Sequence, residues 1–187
     1  MEVHVIRHTP VEVNKNQCYG QLDVPLADSF EKDVKAIKKV LNDDYDIVYS
    51  SPKKRCTQLA SALAFDTIVT DERLLELNFG AWEGKLWHEI DQKALHLWME
   101  NFVSIAPIEG ESLEEMYARI SSFMNALRNK TYEKILIISH AGVIRCVWAY
   151  LLEIPLKNIF KIPVGFHEHF VFNLGANRQF DSIIKLI

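Results

Sequence analysis

The chain has 187 residues, with 21 Lys and Arg against 25 Asp and Glu, giving a formal charge of −4. Hydrophobic residues make up 49% and charged residues 25%, a globular mix that excludes extended disorder, a collagen repeat and a disulfide-held miniature domain. The acidic balance excludes a broad basic face for nucleic acid, and the longest apolar run, Cys146 to Leu152, is far short of the roughly 18 residues of a membrane span.

Val3 to Arg7 reads as a buried strand rich in β-branched residues. Phe30, Val34, Ile37 and Leu41 then repeat on one helical face. A second strand is predicted over Asp46 to Ser50. It is followed by a helix whose face carries Cys56, Leu59, Ala60 and Leu63, with Ser51 and Pro52 as expected N-cap and first helical residue. Thr67 to Thr70 is a weaker strand. The clearest helix is expected near Ser112 to Arg128, striped with Leu113, Met116, Tyr117, Ile120, Phe123, Met124 and Leu127, and opened by a Ser112/Glu115 capping box. Lys134 to Ser139 is the third strong strand, and Val143 to Leu152, apolar on nearly all sides, an embedded helix. Phe170 to Asn173 and Ile183 to Leu186 are weaker strands. Alternating strands and helices predict an α/β sheet covered on both faces.

No repeat, low-complexity tract or flexible linker breaks the chain, so a single domain over residues 1–187 is expected. Met1 to Ile6 enters the first strand directly, with no signal-like segment, and a cytoplasmic location is expected. Cys18, Cys56 and Cys146 are odd in number and lack a C-x-x-C pattern, which fits reduced, partly buried thiols.

Ligands of such sheets gather at the carboxyl ends of the strands. There the three strong strands end in Arg7-His8-Thr9, Ser50-Ser51-Pro52-Lys53-Lys54-Arg55 and Ser139-His140-Ala141-Gly142. Two arginines and two histidines on one rim suit a tetrahedral dianion, because the guanidinium fork matches phosphate oxygens. Taken singly, each of these residues is equally explained by a salt bridge or a structural hydrogen bond. His4 reads as structural, and His88 and His96 as surface residues. His167 and His169, two apart on a possible strand face, make a metal site conceivable, but no ligand set accompanies them.

Arg7-His8-Thr9 with Asn14, Tyr19-Gly20 and Asp23-Val24-Pro25-Leu26 resembles the N-terminal signature of the histidine phosphatase superfamily, which includes the phosphoglycerate mutases. Ser51 to Arg55, Leu75 to Gly84, Gly110-Glu111-Ser112 and Ser139 to Arg145 are similar to its later blocks, in order. Arg-His alone is nearly uninformative, whereas the ordered set is specific. The opening Arg-His-Thr-Pro-Val-Glu-Val-Asn and the Cys18 to Leu26 stretch (with Tyr19-Gly20) look most like α-ribazole phosphatases. Two positions depart from the common pattern. Thr9 and Ala141 stand where glycine usually follows the two histidines.

The resemblance implies a three-layer α/β/α sandwich with a mainly parallel, mixed sheet, as in phosphoglycerate mutases. It implies a metal-independent phosphomonoesterase without a cofactor, acting on a small-molecule phosphate monoester, with α-ribazole 5′-phosphate as the particular substrate and neither nucleic acid nor membrane as partner. His8 is then the nucleophile, and its other ring N–H is held by a backbone carbonyl near Thr9. Glu76 is the general acid and base, chosen over Glu72 and Glu83 by its motif position. Arg7, Arg55 and His140 grip the phosphoryl oxygens, and Asn14, Tyr19, Gly20 and Ala141 border the substrate. Asn14 equally suits a turn. Glu111 and Ser112 are possible pocket borders. Phe79, Trp82, Trp87 and Trp98 form either an aromatic wall for a planar group or part of a core. A broad monophosphatase, a mutase and a non-catalytic metabolite-binding module are the competing readings. The short stretch between Glu76 and Gly110 favours hydrolysis over the mutase.

Overall fold

The computed structural model describes residues 1–41 and 44–186. Its six-stranded sheet consists of β1 (Glu2–Arg7), β2 (Ile47–Ser50), β3 (Ile68–Thr70), β4 (Lys134–Ser139), β5 (His169–Asn173) and β6 (Ser182–Leu186). The spatial order is β3-β2-β4-β1-β5-β6. The first four run parallel, while β5 pairs antiparallel with β1 and β6 antiparallel with β5. The sheet is therefore mixed and mainly parallel, as expected.

The near-continuous apolar sequence of the central strands follows from cover on both faces. Val3, Val5, Ile47, Tyr49, Ile135 and Ile137 point to one side, where they pack with helices α4 (Leu113–Arg128) and α5 (Ala141–Leu152). Ile6, Val48, Leu136 and Ile138 alternate to the other, against α1 (Phe30–Lys38) and α2 (Lys54–Leu63). Each such side chain, fully removed from water, contributes roughly 1.5–3 kcal/mol. The outcome is the three-layer sandwich. Leu41 lies past the end of α1 yet stays in the same core.

Helix α4 begins as its sequence predicts. Ser112 accepts from the Glu115 N–H while the Glu115 carboxylate accepts from the Ser112 N–H, so two otherwise open donors are satisfied. The expected start of α2 is corrected. Its N-cap is Lys53, not Ser51, and helical geometry begins at Lys54. Ser51 Oγ bonds His140 at 2.8 Å, and the backbone N–H it accepts from is that of Lys53, at 3.4 Å, ahead of the first helical residue.

Helix α3 (Gln92–Asn101) was not marked by periodicity, because Leu95 is its one fully buried residue. It carries a third, smaller core of Cys18, Trp82, Ile90 and Leu95, with Phe79, Trp87 and Trp98 packed against it. The three tryptophans thus belong to a core rather than a ligand wall. Cys18, Cys56 and Cys146 are unbonded and buried, and burial pushes each thiol up to about 12. No helix among the described residues is long and apolar enough to cross a membrane.

Candidate active site

The carboxyl ends of β1, β2 and β4 lie side by side, with Arg7 in register with Ser139. The backbone continues that pairing one step past the strand, since the His8 N–H donates to the Ser139 carbonyl at 2.9 Å. His8 and His140 therefore meet at the rim, ring centroids 5.2 Å apart.

His8 is 2% exposed. Its Nδ1–H donates to the Thr9 carbonyl at 2.7 Å, the type of acceptor the sequence requires. With that proton held, Nε2 is the open nitrogen of a neutral ring. Burial, then the charge of Arg55 and to a smaller degree that of Arg7, pulls the His8 pKa down to about 3, against the opposing bond to Thr9. The lone pair is consequently present throughout the neutral range.

His140 caps the N-terminus of α5 and is fully buried. Its Nδ1 accepts from Arg55 Nε–H at 3.2 Å, so the remaining proton sits on Nε2 and donates to Ser51 Oγ at 2.8 Å. Burial and the nearby Arg55 hold its pKa well below the usual value.

Arg55 lies in the first turn of α2 and is 1% exposed. Besides its bond to His140, Nη1 donates to the Leu22 carbonyl at 2.8 Å and Nη2 to the Gly20 carbonyl. Three of the five guanidinium donors are thus fixed, leaving one N–H on each terminal nitrogen. Arg7 donates from Nη1 to the Val164 carbonyl at 2.9 Å and lies 3.9 Å from the Phe166 ring centroid. Its buried Nε–H has no hydrogen-bond partner among the described residues. Burial lowers the Arg7 pKa, with Tyr19 and Glu76 opposing.

Glu76 follows a short 3-10 turn over Glu72–Leu74. Its backbone carbonyl is held by Arg119 Nη2 at 3.1 Å, and Arg119 is itself paired with Glu111 at 2.6 Å. The carboxylate accepts from Leu77 N–H at 3.0 Å and from Gly142 N–H at 3.1 Å. It therefore faces the start of α5 beside His140. Glu76, Tyr19 and Ala141 line one small pocket of about 120 Å³, with Phe79, Phe160 and Arg145.

The other expected residues fall in different places. Gly20 reaches the site through its carbonyl. Asn14 is exposed, and its side-chain oxygen accepts from the Asn16 N–H at 3.2 Å, the turn-forming alternative. Glu111 and Ser112 serve the Arg119 pair and the helix cap. His167 and His169 do not form a pair. His167 Nε2 faces Asp33 at 3.0 Å, whereas His169 Nε2 lies 2.7 Å from His4 Nδ1. His4 sits within this buried network, which also includes Glu2 and Tyr45. Among the described residues no group of three or more His, Cys, Asp or Glu side chains could hold a metal ion.

Sequence reasoning missed Phe166, which covers Arg7 and lies edge-on to His8. It also gave no role to Arg145. Arg145 Nε–H donates to the Ile162 carbonyl at 3.0 Å, and its guanidinium lies 5.6 Å from the Phe160 ring centroid, with no hydrogen bond to its terminal nitrogens among the described residues. The Arg145 signal was present in the block beginning at Ser139, but nothing in the sequence pointed to Phe166.

A buried histidine with a free lone pair lies among fixed guanidinium donors, and comparisons with known proteins make the protein a phosphatase. The chain belongs to the histidine phosphatase superfamily (branch 1), whose family model matches residues 3–180. It is similar to "Putative phosphoserine phosphatase 2" of Hydrogenobacter thermophilus, 32% identical over 168 residues, 86% of this chain and 83% of that one. It is similar also to the adenosylcobalamin/alpha-ribazole phosphatase of Salmonella typhimurium, 27% identical over 174 residues, 88% of this chain and 86% of that one. The solved alpha-ribazole phosphatase from Shigella flexneri shares the fold with a TM-score of 0.90 and 23% identity, covering 100% of this chain and 96% of that chain.

Proposed function

We propose that the protein is a metal-independent phosphomonoesterase of small molecules that works through a phosphohistidine at His8. The observation that carries this reading is the Nδ1–H bond to the Thr9 carbonyl, which leaves Nε2 as the open nucleophile among Arg7, Arg55 and His140. Nε2 forms the bond to phosphorus as the ester P–O bond breaks, and Glu76 in its protonated form gives the leaving alkoxide its proton. Water then attacks the phosphohistidine, Glu76 takes the proton back, and free phosphate leaves. The two remaining Arg55 donors and Arg7 stabilise the charge spread over the equatorial oxygens, while His140 holds Arg55 in place through its Nδ1.

The pocket beside Glu76 suits a compact leaving group. Its volume is only about 120 Å³, below the roughly 300–1,000 Å³ of sites for larger ligands. Its one cation, Arg145, would favour a leaving group that bears its own carboxylate, such as the serine of O-phosphoserine. The α-ribazole 5′-phosphate implied by the resemblance is the second reading. The rings of Tyr19, Phe79 and Phe160 along the pocket favour it, since they offer faces to a planar benzimidazole.

The test is an assay with chelator present on O-phosphoserine, α-ribazole 5′-phosphate, 3-phosphoglycerate and an aryl phosphate, scored by kcat/KM and by free phosphate released. Turnover should survive chelation and fall by at least about a thousandfold in His8→Ala, with loss of the acid-labile phosphoenzyme. Unchanged turnover in His8→Ala would overturn the mechanism. Isomerisation of 3-phosphoglycerate without phosphate release would replace the hydrolase by a mutase.

A further inference from the structure

Glu83 is the acid that sequence reasoning set behind Glu76, and its carboxylate does not line the pocket beside Glu76. It is instead the anchor of the loop that grips Arg55. Oε1 accepts from the Gln21 N–H at 2.7 Å and from the Phe79 N–H at 3.1 Å, and Oε2 accepts from the Leu22 N–H. On the opposite side of the same loop, the Gly20 and Leu22 carbonyls accept from Arg55.

The Gly20 carbonyl and the Gln21 N–H belong to one planar peptide unit. A single rigid plane therefore stands between carboxylate and guanidinium, accepting from Arg55 at its oxygen and donating to Glu83 at its nitrogen. The negative charge polarises that unit and makes its carbonyl a stronger acceptor, the cooperative behaviour of chained hydrogen bonds. The chain approaches closely enough to require glycine at the bend. A Cβ on Gly20 would overlap the Leu77 carbonyl oxygen and sit 3.1 Å from Glu83 Oε1.

We infer that Glu83 is a positioning residue for phosphate binding, acting on Arg55 through the Gly20–Gln21 peptide. It aims the guanidinium so that its two remaining donors point where the phosphoryl oxygens bind. The inference rests on the proposed phosphate-binding role of Arg55.

A double-mutant cycle tests both separately, with inorganic phosphate as the probe and its dissociation constant measured by phosphorus NMR. Glu83→Gln keeps the side-chain volume but removes the charge and one acceptor. It should weaken phosphate binding by roughly three- to tenfold at temperatures well below its melting point. In an Arg55→Ala background the same change should have no further effect. An equal loss in both backgrounds, or none in either, overturns the inference alone. Phosphate binding unchanged in Arg55→Ala overturns it together with the reading it rests on.

A measurement on the unaltered protein covers the case in which Glu83→Gln fails to fold. During acid titration, the Gln21 amide and Arg55 Nη2–H resonances, at the two ends of the shared peptide, should move with a common midpoint. A Gln21 shift that leaves Arg55 still overturns the relay.

Discussion

Phe166 lies flat enough on Arg7 for a cation–π contact at 3.9 Å and stands edge-on to His8, so it shields both from water on one side. Losing the ring frees Arg7 to swing toward solvent. Phe166→Ala should therefore raise KM by roughly three- to thirtyfold with a smaller change in kcat. Steady-state kinetics on an aryl phosphate would check this, and an unchanged KM would show that the Val164 carbonyl holds Arg7 unaided. The contact illustrates what a sequence conceals. His8, Arg55 and His140 were legible because each directly follows a strand or opens a helix. Arg7 and Val164 are 157 positions apart, and no local pattern pairs them.

At the level of elements, helix starts decide how the machinery is held. The capping box at Ser112 was legible because its two members are three residues apart and bond to each other. The start of α2 was not, because the bond between His140 and Ser51 joins neighbouring strand ends 89 positions apart in sequence. Ser112→Ala should lower stability by about 0.5–2 kcal/mol, read as a drop in melting temperature. Neither KM nor kcat should change beyond about twofold, since Glu76 is held by Arg119 and two backbone N–H groups. A large fall in kcat would instead tie the position of Glu76 to the first turn of α4. Helix α3 was the element least visible in advance. Its stripe is weak because it covers a small cap core rather than the sheet.

Across the whole molecule, the buried neutral histidines make the folded state sensitive to acid. His8 and His140 both titrate far below the unfolded value of about 6.5. As pH falls below that value the unfolded chain takes up protons that the folded chain refuses. Stability is thus complete above pH 6.5 and declines toward the folded pKa of about 3 for His8, by about 1.4 kcal/mol per pH unit for each such histidine. Denaturant melts at pH 7, 6 and 5 would measure the slope, and His8→Ala should reduce it by roughly one histidine's share. An identical slope in the variant would mean that His8 is already protonated in the folded protein. The sheet covered on both faces followed from the alternation of strands and helices. The reversal of β5 between β1 and β6 did not, since Phe170 to Asn173 and Ile183 to Leu186 read only as weak strands of unspecified direction.

The three sequestered thiols give the molecule an internal gauge. With each sulfur enclosed and held as thiol up to about pH 12, alkylating reagents find no thiolate while the fold is closed. The pace at which such a reagent labels Cys18, as against Cys56 and Cys146, would report how often the third core opens independently of the two that cover the sheet.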